Sequence, residues 1–134
     1  MSCLNEALQE WCGKNLNTIQ YVMKGTNCMV EMYSALAAEV ELASDKTTQI
    51  DPALIERLNE SDKLIICGQA LSHCVNFTTR DIIKNWKKPL SQIYILEDCT
   101  SPVQGFEDSS RKFIQEMTDC GVTVTNSIDI INSR

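Results

Sequence analysis

Apolar residues recur along this chain with two different periods. Leu4, Ala7, Leu8, Trp11 and Cys12 return at helical spacing, with Gly13 placed as a C-cap, and predict a first helix. Residues 19–24, β-branched and aromatic, predict a short strand ending at Lys24. Gly25 to Asn27 turns the chain. A second helix is then expected on Met29, Tyr33, Leu36, Ala37 and Val40, capped by Thr26 or Asn27. The polar stretch 44–49 reads as a loop. Asp51 and Pro52 have the residue types of an N-cap and first helical position, and Leu54, Ile55 and Leu58 supply that helix's inner side.

The second half of the chain is more regular. Residues 63–68 form a near-continuous apolar run ending in Gly68, the pattern of a strand covered on both faces. A helix follows Ser72, with Val75, Thr78, Ile82, Ile83 and Trp86 on one side. Lys84, Lys87 and Lys88 sit at its C-terminal end, where cations suit the helix dipole, and Pro89 stops it. Residues 92–96 predict a strand and 100–105 a loop. Phe106, Ser110, Phe113, Ile114 and Met117 predict a helix ended by Gly121, and 121–125 a last strand. The tail from Ser127 fits no element. Alternating strands and helices imply right-handed crossovers onto a mainly parallel sheet, an α/β fold of three αβα layers.

The 134 residues suffice for one domain with a real core. With 12 Lys and Arg against 18 Asp and Glu, the net charge of −6 argues against nucleic acid as a partner. No apolar run has the length of a membrane span, and no secretion signal opens the chain. Seven cysteines, at 3, 12, 28, 67, 74, 99 and 120, include no CxxC pair, and His73 is the only histidine. That spacing gives no metal site and no cofactor, and the odd count points to reduced thiols in the cytoplasm.

In open parallel sheets, sites form beyond the carboxyl ends of the strands. The residues to weigh are therefore Lys24, the run from Gly68 to Cys74, Asp98 to Ser101, and Thr125 with Asn126. Cys74 stands in the first turn of a helix, where free amides and the helix dipole favour the nucleophilic thiolate. Lys24, on the same sheet edge, would favour it further. A packed free cysteine is the plain alternative. His73 is a tempting base, but neighbouring helical residues diverge by about 100°, so a wall or capping role suits it better. A redox pairing of Cys67 with Cys74 is disfavoured, because this layout points Cys67 into the sheet.

Gly68-Gln-Ala-Leu-Ser-His-Cys-Val75, with Thr78, Arg80 and Asp81, resembles the nucleophile segment of the isochorismatase-like cysteine hydrolases, in particular the nicotinamidase-like amidases. Lys24-Gly25 is similar to that family's catalytic lysine segment, as are Glu31, Tyr33, Ser34 and Ala35 to the residues near it. Residues 96–106 and 121–124 match its later strands. The resemblance spans about 19–127. It implies Cys74 as nucleophile, Lys24 as the residue that stabilises its charge, a cis peptide at Gln69–Ala70, and an oxyanion hole built from the Ala70 and Cys74 amides. The implied reaction is attack on a small carboxamide, loss of ammonia and hydrolysis of a thioester.

The resemblance also implies what this chain does not carry. The family domain opens with a strand ending in a catalytic Asp, and residues 1–18 contain no Asp. With one histidine, the nicotinamidase metal ligands are missing too. The expectation is a single domain over 1–134, shortened at its N-terminal side, with Asp98 as a substitute acid or base. The open sheet edge would then call for a second copy or an N-terminal partner segment. A catalytically incomplete interaction or oligomerisation module is the competing expectation.

Overall fold

The computed structural model describes residues 2–16 and 18–132. Its centre is a three-stranded parallel sheet in the order β1 (Leu64–Gln69), β2 (Ile93–Ser101), β3 (Thr123–Thr125). The connections are α3 (Asn76–Asn85) and α4 (Glu107–Asp119), with α1 (Ser2–Asn15) and α2 (Pro52–Glu60) before the sheet and α5 (Ser127–Asn132) after it. This is the αβα arrangement expected from the alternation. Among the described residues no helix is long and apolar enough to cross a membrane.

The core lies along β2. Ile93 and Ile95 are fully buried and pack with Phe113 and Met117 of α4, Val122, Ile82 of α3, and Leu71 and Val75 in the turn after β1. Local chemistry sets the element ends. Asp51 accepts from the Ala53 amide at 2.9 Å and caps α2, with Pro52 in its first turn. Gly121, at φ +98°, closes α4 in a Schellman turn: its amide donates to Thr118 O and that of Val122 to Met117 O. α1 runs through Gly13 to Asn15, so Gly13 is an interior helical residue and not the expected C-cap.

Two further expectations fail between residues 19 and 40. Residues 19–24 form no strand, and no helix forms over 29–40. The reason is visible in the amides. A helix needs each N–H for the carbonyl four residues back. Here the Ala35 amide donates to Thr78 Oγ1, that of Leu36 to Ser34 Oγ, and that of Ala38 to Thr48 O. Asp45, bonded by Asn27 Nδ2 and the Thr47 amide and hydroxyl, pins the same segment from the other side. β1 also departs from expectation. Its burial alternates, with Ile65, Cys67 and Gln69 exposed, so only one face is covered. β2 runs on to Ser101, which places Asp98 within a strand and not just beyond one.

Phe113 is 1% exposed at the centre of this core. Phe113→Ala should cost about 3–5 kcal/mol, a large share of a small domain's stability. A urea titration should show the midpoint collapsing with the slope retained.

Candidate active site

Beyond Gln69 the peptide bond to Ala70 is cis. The chain then makes one wide turn over Leu71–Val75, in which the His73 and Val75 amides both donate to Ala70 O, at 3.0 and 3.1 Å. α3 continues directly from it. The turn is held at three points: Leu71 and Val75 enter the core, and buried Ser72 accepts from the Val103 amide at 3.0 Å. Cys74, half-buried, is thus carried on a rigid turn at the N-terminal side of α3.

Lys24 reaches the same place by a different route from the one expected. No strand delivers it; the bond from the Ala35 amide to Thr78 Oγ1 docks its segment on α3, and its ammonium donates to Met32 O. The result is a cleft of about 250 Å³ lined by Lys24, Ala35, Ile66, Cys67, Gln69, Cys74, Val75 and Thr78. An ammonium and a thiol far apart in sequence therefore share one small, mostly apolar cleft. Ala35, Ile66 and Thr78 belong to this site although their residue types carry no chemical signal.

Asp98 is brought elsewhere. It does not line the cleft, and both the amide and the hydroxyl of Ser127 donate to its carboxylate at the start of α5. Those bonds hold its carboxyl below the usual range, which suits a cap and not a base. His73 does not line the cleft either. Its Nδ1 lies 2.8 Å from Ser72 Oγ, and its ring packs against Tyr33 at 5.7 Å and edge-on to Phe106 at 4.7 Å. Cys67, expected inside the sheet, is exposed. No carboxylate lines the cleft among the described residues. Nor do any three His, Cys, Asp or Glu side chains among them form a group able to hold a metal ion.

The fold is that of the isochorismatase-like hydrolases of the nicotinamidase/pyrazinamidase kind. No protein-family profile and no curated protein matches the chain. Among solved structures it is similar to a nicotinamidase/pyrazinamidase of Acinetobacter baumanii, with 26% identity and a TM-score of 0.54 over 75% of this chain and 44% of that one. It is similar to PnC1 from L. infantum in complex with nicotinate, with 25% identity and a TM-score of 0.58 over 78% of this chain and 46% of that one. It also shares its fold with the yeast nicotinamidase Pnc1p, with a TM-score of 0.62 and 20% identity over 91% and 51%. The chain spans about half the length of the solved structures it matches.

Asp98 yields a pH test. Its lowered pKa means that folding favours its ionised form, so the stabilisation is present above the ordinary value of 3.8 and is lost as pH falls through the lower, folded one. Asp98→Asn should therefore be less stable than the parent near neutrality. The two urea midpoints should converge as the solution is acidified below 3.8.

Proposed function

We propose that this chain carries the nucleophile side of an amide-hydrolysing cysteine site, with a small carboxamide as substrate. The observation that supports this most is the sharing of one cleft by Cys74 and Lys24. In this reading the Cys74 thiolate attacks the carboxamide carbon, and the carbonyl electron pair moves onto oxygen. The Ala70 and Cys74 amides receive that oxyanion. Collapse expels ammonia and leaves a thioester on Cys74, which water cleaves to the carboxylic acid. Lys24 stabilises the negative charge first on sulfur and then on the tetrahedral intermediate.

The proton of Cys74 needs an acceptor, and the cleft offers no carboxylate. We assign that role to a segment supplied to the open edge of β1, from a second polypeptide or a longer form of this one. This chain matches less than half of each nicotinamidase-type structure it resembles, which supports this division.

A second reading rests on a different observation. Leu4 is 66% and Trp11 45% exposed on α1, and β1 has one hydrogen-bonded neighbour among the described strands. Such surfaces are where protein partners bind. An interaction module without catalysis would use them for self-association. Light scattering on the purified chain would show a dimer or larger species, and a monomer at high concentration would remove this reading.

The catalytic reading is tested by alkylation with iodoacetamide near neutral pH, followed residue by residue in peptide digests. Cys74 should react fastest of the seven cysteines. Lys24→Met should slow it about tenfold, the effect of ~1.4 kcal/mol. Any amide hydrolysis should vanish in Cys74→Ala. Equal reactivity of Cys74 and the exposed cysteines, unchanged by Lys24→Met, would overturn the assignment.

A further inference from the structure

The pairing of β1 with β2 slips partway along. Ile66 stands opposite Ile95, yet Gly68 stands opposite Thr100 and Gln69 opposite Ser101. Beyond the slip, the Gln69 and Ser101 side chains share a face, with Ser101 Oγ donating to Gln69 Oε1 at 2.9 Å. Side chains alternate along a strand, so Cys67 lies on the face of Gln69 and Cys99 on the face of Ser101. The slip falls between Ile66 and Gly68, and the Gly68–Thr100 register taken one step back brings Cys67 towards Cys99. Adjacent strands run about 4.8 Å apart, within the roughly 4.4–6.8 Å between Cα atoms that a disulfide spans. Both thiols are exposed, and the charge of Cys67 bears on Cys99.

We propose that Cys67 and Cys99 form an oxidisable dithiol that closes to a disulfide across β1 and β2 when hydrogen peroxide reaches them. The thiolate of Cys67 attacks one peroxide oxygen, the O–O bond breaks, and hydroxide leaves, making Cys67 a sulfenic acid. The sulfur of Cys99 then attacks the sulfenic sulfur, the S–S bond forms, and hydroxide leaves again. With the two thiol protons, the products are one disulfide and two waters; peroxide gains the two electrons that the thiols lose. Partial desolvation and the Asp98 carboxylate push the Cys99 thiol up, so Cys67 is the thiol oxidised first and Cys99 resolves it. Cys67 also lines the cleft beside Cys74, so the bridge ties the cleft wall to β2. None of this depends on whether Cys74 is catalytic.

The test is peroxide treatment of the full chain, alkylation of remaining thiols and tryptic peptide mapping without reduction. The expected product joins the peptide of residues 64–80 to that of 88–111, with two hydrogens lost. Because the first peptide also holds Cys74, variants decide the partner. The cross-link should persist in Cys74→Ser and disappear in Cys67→Ser and Cys99→Ser. In Cys99→Ser, dimedone should instead trap a sulfenic acid at Cys67, a positive signal that a misfolded variant would not give selectively. A cross-link that survives in Cys67→Ser but not in Cys74→Ser would overturn the proposal. So would oxidation of the other exposed cysteines with no bridge between these peptides.

Discussion

Ile93 and Ile95 are fully buried on β2, the one strand among those described that is hydrogen-bonded along both edges, and the other elements take their positions from it. α4 lays Phe113 and Met117 on that strand, and the turn after β1 adds Leu71 and Val75. The turn bearing Cys74 is consequently fastened to the core by its own flanking residues. A side chain placed this way is held by the sheet, and the role proposed for Cys74 requires such an oriented placement.

Lys24 illustrates a different kind of positioning. Its backbone belongs to no regular element, and it is carried by a segment whose amides bond to Thr78, Ser34 and Thr48. Side-chain and long-range partners take over the work that a strand would have done. The cleft therefore has one wall built on secondary structure and one held by individual hydrogen bonds. Changes at Thr78 or Thr48 would act on the lysine without touching it.

That difference explains how much was legible in the sequence. β1, α3, β2, α4 and β3 were readable because their periodicity reports a face that packing then buries, and Asp51, Pro52 and Gly121 mark ends by local chemistry. Residues 19–40 were not, because apolar spacing counts side chains, whereas the outcome turned on where the Ala35 and Ala38 amides found partners in distant residues. The covered-strand pattern of 63–68 misled for a related reason: hydrophobicity states what could be buried, not what is present to bury it. The Cys74 segment and Lys24 were identifiable as residues, but their common cleft was a property of the fold. Asp98 shows the reverse, since an acidic residue near a strand end proved to be occupied by Ser127.

The slip between β1 and β2 has a consequence for how this chain tolerates changes in length. From Ile66 to Gly68, β1 advances by an even step, while from Ile95 to Thr100 its partner advances by an odd one. The extra residues act as a parity inverter: odd-numbered positions of β2 face the core before them and the open side after them. Removing or adding one residue between Leu96 and Cys99 would cancel that inversion. It would turn Cys99 and Ser101 inward and force Thr100 out, while leaving every residue's identity unchanged. Length in this short stretch is thus a coded quantity, as specific as any side chain in the cleft.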